Sequence, residues 1–367
     1  MMNILLVAGA RPNFMKIAPM IRAMKSCEGL NWSLVHTGQH YDFEMSQSFF
    51  EDLEIPRPDY FLNVGSGSHA AQTASTMVEF EQVCLEANPD VVVVVGDVNS
   101  TLACSIVAKK LGISVAHVEA GLRSFDLTMP EEINRMVTDA ISDFFFVTEQ
   151  SGVDNLLREG KAEENIHFVG HVMIDNLLYQ VSKLEDAPAS DFVYADLKQE
   201  LGEYIFLTLH RPSNVDCREV LAGLVQAVNH IAEQTPVVFP VHPRTRKMID
   251  KFKLNFSEHV HCLPPLGFKE ALYLWKDAQL VLTDSGSLQE ETTALGVPCI
   301  TLRENTERPI TCEVGTNQLV GNDPEKICSA VADILGNDAP VGHIPPLWDG
   351  KASERIAQVL AEAFGSE

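Results

Sequence analysis

At about 150 residues per domain, a chain of 367 residues holds two or three domains and ample core. Its 46% apolar and 21% charged residues are the mix of a globular protein and argue against disorder. With 27 Lys and Arg against 51 Asp and Glu, the formal charge of −24 makes nucleic acid and anionic membranes poor partners. A phosphorylated ligand would need a few locally placed cations to overcome that field.

Eight cysteines without a C-x-x-C pair read as reduced thiols of a cytoplasmic protein, not as a zinc site or a disulfide framework. The longest purely aliphatic run, Val91–Val95, is far short of a membrane span. Leu5-Leu6-Val7-Ala8 is cut off by Arg11, too short for a signal-peptide core. The expected location is therefore the cytoplasm.

Short β-branched runs alternate with longer helical patterns, which predicts an α/β fold with parallel sheets. In the first half the predicted strands are Asn3–Ala8, Trp32–Thr37, Val91–Val95, Ser114–Val118 and Phe144–Thr148. Helical patterns lie at Phe14–Lys25, Ala71–Glu86, Ser100–Leu111 and Glu131–Ile141. Val91–Val95, apolar at every position, suits a central strand covered on both faces. The polar, Pro-containing stretch Ser182–Asp191 is the expected linker. Strands are predicted again at Tyr204–Leu209, Val237–Val241, His259–Leu263, Leu280–Thr283, Pro298–Leu302 and Gln318–Val320. The organisation expected is two doubly wound domains in tandem, with the ligand where the carboxyl ends of the two sheets face one another.

No G-x-x-x-x-G-K-[ST] and no strand-to-helix G-x-G-x-x-G is present, which disfavours an ATP- or nicotinamide-dependent enzyme. Gly65-Ser66-Gly67-Ser68 reads equally well as an ordinary turn. After the first strand, Gly9–Lys16 places Arg11 and Lys16 at a strand-to-helix turn. They are either an anion seat with the helix amides or solvated surface charges. Thr283–Glu291 opens a helix after a strand. Ser287 and Glu290 match a capping box, while Ser285, Gly286 and Ser287 also match a diphosphate seat, with Glu291 one turn inside for ribose hydroxyls.

Asp97 and Glu119 each follow a predicted strand, so both carboxylates project from one edge of a parallel sheet. Glu131 and Arg135 share a face of the next helix at i, i+4. Singly, each acid reads as a helix-dipole or ion-pair residue; three around one cleft suggest proton transfer. His210-Arg211-Pro212 and His242-Pro243-Arg244 also follow strands and suggest ligand contact. No metal is implied, because neither a His-x-x-x-His nor an acid-His cluster accompanies them.

Taken together these motifs resemble the UDP-N-acetylglucosamine 2-epimerase family. The resemblance runs end to end. It includes Gly9–Lys16, Thr37-Gly38-Gln39-His40, Gly96-Asp97, His117–Arg123, Pro130–Arg135, His210-Arg211-Pro212, His242-Pro243-Arg244, Asp284–Glu291, Thr306-Glu307-Arg308-Pro309 and Trp348–Lys351. It implies a GT-B fold: two Rossmann-like doubly wound domains, 1–184 and 192–350, facing a central cleft, with 351–367 a helix crossing back to the first. It further implies interconversion of UDP-GlcNAc and UDP-ManNAc without metal or redox cofactor, by a homodimer. Carried over by motif, Asp97, Glu119 and Glu131 would be the acid/base set, supported by Arg135 and His210. Arg11, Lys16, Ser285, Gly286 and Ser287 would hold the diphosphate, with Arg211, His242 and Arg308 nearby, and Glu291 the ribose.

The resemblance leaves open a hydrolysing epimerase that releases ManNAc and UDP, and a 2-epimerase of a modified UDP-sugar. A GT-B glycosyltransferase and a non-catalytic nucleotide-sugar sensor are more distant readings. Two departures stand out. The family's Asp-Ser-Gly-Gly is Asp-Ser-Gly-Ser here, and Tyr41–Ser46 lacks the Gln and Arg contacts of the allosteric UDP-GlcNAc site found in many bacterial members. Activation by UDP-GlcNAc is therefore not expected.

Overall fold

A computed structural model describes residues 2–38, 50, 53–336 and 342–364, with the side chains of Arg11 and Phe364 outside the description. Gln39, His40 and Tyr41–Ser46 lie outside the described residues. The chain divides into two units, Met1–Leu178 with Pro346–Glu367, and Tyr179–Pro345.

The first unit carries a parallel sheet in the order β3-β2-β1-β4-β5-β6-β7. Its strands are β1 Met2–Ala8, β2 Leu30–His36, β3 Tyr60–Phe61, β4 Val91–Val95, β5 Ser114–Val118, β6 Phe144–Val147 and β7 Ile166–Phe168. β4 is buried at all five positions. Along β1 the side chains alternate between two cores. Ile4, Leu6 and Ala8 meet Ile17 and Ile21 of the helix Arg11–Lys25, together with Ile356 and Leu360 of the helix Ala352–Phe364. Leu5 and Val7 meet Phe80 and Val83 of His69–Ala87, and Val107 of Asn99–Lys110. Burying both faces is what makes the sheet doubly wound.

The second unit has the order β10-β9-β8-β11-β12-β13, again all parallel. These strands are β8 Ile205–Thr208, β9 Val237–Pro240, β10 Val260–Leu263, β11 Leu280–Thr283, β12 Cys299–Thr301 and β13 Asn317–Leu319. Ile205 and Leu207 of β8 pack with Leu221, Leu224 and Val228 of Arg218–Ala232, and with Ile327 and Val331 of Pro324–Leu335.

Two short strands, β3 and β7, are additions to the sequence reading. The expected linker also needs correction, since Ser182–Asp186 are the last residues of the helix Val172–Asp186. Lys183, Leu184 and Glu185 are good helix formers, and the helix ends just before Pro188, which lacks the amide to continue it. A 3₁₀ turn at Ala189–Asp191 follows.

The C-terminal helix returns to the first core through a cap supplied by another helix. Buried Asp175 accepts the amides of Ala352 at 3.1 Å and Ser353 at 2.6 Å. Those are helix-terminal donors that would otherwise lack partners.

Candidate active site

In both sheets chain order reverses between two neighbouring strands, β1 and β4 in one, β8 and β11 in the other. Loops leaving the carboxyl ends of such a strand pair diverge and open a crevice. Gly9–Lys16 and Gly96-Asp97 leave the first reversal point. His210-Arg211 and Asp284–Ser287 leave the second.

In the first unit, Asn13 organises the turn after β1. Its Oδ1 accepts the amide of Ala10 at 2.8 Å, and its Nδ2 donates to the carbonyl of Val95 at 2.9 Å, tying the β1 and β4 exits together. Gly96 has φ +69°, and a Cβ there would lie 3.4 Å from Lys16 Nζ and 3.6 Å from Glu119 Oε2. Glycine thus meets both the backbone and the space requirement. Lys16 and Glu119, both buried, form an ion pair with Nζ 2.5 Å from Oε2. Glu119 itself has φ +69°, a conformation costly for a residue with a side chain, and its amide donates to the Phe146 carbonyl at 3.0 Å.

The Asp97 carboxylate is about one third exposed and accepts from Arg135 Nη2 at 2.5 Å. Asn134, one residue earlier on the helix Pro130–Ile141, donates to the Asp97 carbonyl at 2.8 Å. Arg135 turns to Asp97 and to Glu132, 2.9 Å away, instead of to Glu131 four residues before it. Glu132 is buried and also accepts the amides of Ser124 and Phe125. Burial opposes its charge, but these amides and Arg135 hold its carboxyl below the usual range. Glu131 is half-buried and has no hydrogen-bond or ion-pair partner among the described residues.

Behind this edge lies a pair that sequence reading did not single out. His117 Nδ1 is 2.6 Å from Asp139 Oδ1, and its Nε2 is 2.9 Å from the Gly96 carbonyl, with both side chains fully buried. Asp139 also accepts from Arg123 at 2.7 Å and from the Gly121 amide at 3.0 Å. Burial raises its carboxyl, but His117 and Arg123 outweigh that and hold it low. His117 opens the motif His117–Arg123, yet its partner is on another element, which spacing does not reveal.

In the second unit the organiser is Asp284, fully buried. It accepts the amides of His210 and Arg211, each at 2.9 Å, and its Oδ1 is 2.8 Å from His210 Nδ1. Burial would raise this carboxyl; the bond and charge of His210 keep it below the usual range. With Nδ1 facing a carboxylate, His210 presents Nε2 elsewhere. Its ring lies 5.7 Å from that of His242. His242 Nδ1 accepts the Arg244 amide at 3.2 Å, and burial, then the charge of His210, lower its pKa.

The helix Gly286–Leu295 starts at Ser285, whose side chain makes no cap. The expected capping box is therefore absent. Ser287 already lies inside the first turn, and Glu290 pairs with Arg308, Oε1 to Nε at 2.7 Å. The first amides of this helix stay uncapped by side chains, with the Arg211 guanidinium within 3.8 Å of where a Gly286 Cβ would stand. Such an end suits an anion. Glu291 is buried without a partner among the described residues, and burial, reinforced by the charge of Glu290, pushes its carboxyl up to about 8.

Two parallel, doubly wound sheets in tandem, each with its polar residues at the reversal point, define the GT-B class of α/β protein. A family model described as UDP-N-acetylglucosamine 2-epimerase matches residues 22–361. A Methanocaldococcus jannaschii UDP-N-acetylglucosamine 2-epimerase is 44% identical, over 98% of this chain and 99% of its own. The crystal structure of the UDP-GlcNAc 2-epimerase of that organism, in complex with UDP-GlcNAc and UDP, superposes with a TM-score of 0.83 over 98% of this chain and 100% of the other. A UDP-2,3-diacetamido-2,3-dideoxy-D-glucuronate 2-epimerase from Pseudomonas aeruginosa is 40% identical over 98% of this chain and 100% of its own. The chain belongs to the UDP-N-acetylglucosamine 2-epimerase family.

Proposed function

We propose that the protein interconverts UDP-GlcNAc and UDP-ManNAc by elimination and re-addition of UDP. Support comes chiefly from the carboxylates Asp97, Glu119 and Glu131 at the carboxyl edge of the first sheet, in a chain of this family. The C2 proton of the sugar is not beside a carbonyl, so no enolate can stabilise its removal. Elimination avoids the problem. A base takes the C2 proton, the C–H electrons form the C1–C2 double bond, and the C1–O bond breaks with its electrons on UDP. Re-addition of UDP to 2-acetamidoglucal, with a proton delivered to the opposite face of C2, completes the inversion. The sequence is redox-neutral and draws on no cofactor.

Each group has a chemical reason for its part. Arg135, 2.5 Å from its carboxylate, holds Asp97 in position, as a proton acceptor requires. Lys16 spends one of its three donors on Glu119 and has others for an anion. On this reading the amides of Gly286 and Ser287, the hydroxyls of Ser285 and Ser287, Arg11, Arg211, His242 and Arg308 stabilise the departing diphosphate. Fixed donors aimed at developing charge supply most of the rate enhancement in many enzymes. His210, oriented by Asp284, supports the reacting centre, and Glu291 receives the ribose hydroxyls. The working form is proposed to be a cytoplasmic homodimer. Ile133 and Met136 on one helix, and Phe125 and Leu127 in the loop before it, are exposed apolar side chains that a second copy would cover; light scattering during gel filtration measures the mass.

Incubation of purified protein with UDP-GlcNAc in D2O, followed by NMR, tests the proposal. Deuterium at C2, appearance of UDP-ManNAc and little early free UDP are expected. Stoichiometric ManNAc and UDP would assign a hydrolysing enzyme instead. The 40% identity to the diacetamido-glucuronate epimerase supports a second reading, a modified UDP-sugar substrate. Deuterium exchange into that sugar, with none into UDP-GlcNAc, would select it.

A further inference from the structure

We infer that Gln289 is a positioning residue that fixes Arg308 relative to the first amides of the helix Gly286–Leu295. The inference rests on the proposed use of Ser285–Ser287 and Arg308 as the diphosphate seat. The Gln289 side chain is fully buried. Its Nε2 lies 2.9 Å from the Ser285 carbonyl, which can only accept, so the amide has one possible orientation. Its Oε1 then faces the loop that carries Arg308 and accepts from the Thr306 hydroxyl at 2.7 Å. Thr306 Oγ1 in turn accepts the Arg308 amide at 3.0 Å, which leaves its own proton for Gln289.

The carbonyl of Arg308 is held as well. Thr311 donates to it at 2.8 Å and accepts from Asn317 Nδ2 at 3.1 Å. Asn317 Nδ2 also lies 3.2 Å from Gln289 Oε1, while its own Oδ1 accepts from Thr301 on β12 at 2.7 Å. Both backbone polar groups of Arg308 thus end in one buried network, and Gln289 joins it to the helix start. Glutamine meets the need because it donates at one side and accepts at the other. Glutamate would set a carboxylate oxygen against the Ser285 carbonyl, and methionine would leave both ends unmet.

The test compares wild type, Thr306→Val, Thr306→Ser and Gln289→Glu by UDP titration calorimetry, steady-state kinetics and melting temperature. Loss of the hydroxyl in Thr306→Val should weaken UDP binding by roughly tenfold, while Thr306→Ser stays within about twofold. KM should move more than kcat, and the loss of UDP affinity in Thr306→Val should persist at temperatures well below its own melting point, where the variant is fully folded. Gln289→Glu should bind UDP more weakly than Thr306→Val. Unchanged UDP affinity in Thr306→Val, or equal losses in the valine and serine variants, would overturn the relay while leaving the diphosphate seat standing. A wild-type protein that binds no UDP overturns the seat and the relay with it.

Discussion

Asp97 and Glu291 are carboxylic acids in opposite electrostatic settings, and the difference yields two predictions. Asp97 leans on a guanidinium and stays partly open to solvent. Asp97→Asn keeps its size but removes the basic oxygen, so turnover should fall by about 10³ or more while UDP still binds. Near-normal turnover would remove Asp97 from the acid/base set. Glu291 pairs with no cation among the described residues, and burial lifts its carboxyl from the usual 4.5 to about 8. Folded protein then holds this proton more tightly than unfolded chain, so the group costs stability as pH rises from about 4.5 to about 8. Glu291→Gln should therefore melt above wild type at pH 8.5, with the advantage gone near pH 4.5. An advantage independent of pH would contradict the assignment. The acids at strand ends were visible in sequence because a parallel sheet sends its loops off one edge. Their partners were not: Arg135 binds Asp97 across 38 positions of chain, and Lys16 binds Glu119 across 103.

Among the elements, long buried strands were the most legible. β4 falls where the aliphatic run begins and ends, since a strand covered on both faces has no polar positions to blur it. β5 keeps its predicted bounds although Ser114 and His117 interrupt its apolar pattern. β3 and β7 escaped because they have two and three residues, at the two edges of the sheet, with too few positions to show a period. The helix Gly286–Leu295 was placed, but its start was misread by two residues, which moved Ser287 from cap to first turn. A cap drawn from a distant element is likewise invisible to local pattern, as with Asp175 and the C-terminal helix. Asp175→Ala should remove both acceptors and cost about 1–3 kcal/mol in urea unfolding, with Asp175→Asn recovering part of it. An alanine variant as stable as wild type would show that solvent serves those amides equally well.

At the scale of the whole molecule, the charge of −24 leaves room for a strongly anionic ligand because cations gather at the sheet edges. Several of them, Lys16, Arg135 and Arg308 included, are held by acids of their own unit. On the proposed function, and with activation by UDP-GlcNAc not expected from the sequence of Tyr41–Ser46, UDP-ManNAc alone should be converted with hyperbolic kinetics. A strict need for added UDP-GlcNAc would contradict this. The tandem arrangement was legible from the repeated strand-helix alternation, whereas the place of division was not, since the helix Val172–Asp186 runs through it. The return of the last helix to the first core also bears on synthesis at the ribosome. Residues 179–345 form one unbroken stretch, so the second unit has all of its own sequence before the last helix emerges. The first unit begins earlier but lacks Ala352, Ile356, Ala357 and Leu360 until the codons for that helix are read. The part made first is the part finished last, and a nascent chain stalled short of residue 350 would leave an open seam beside β1.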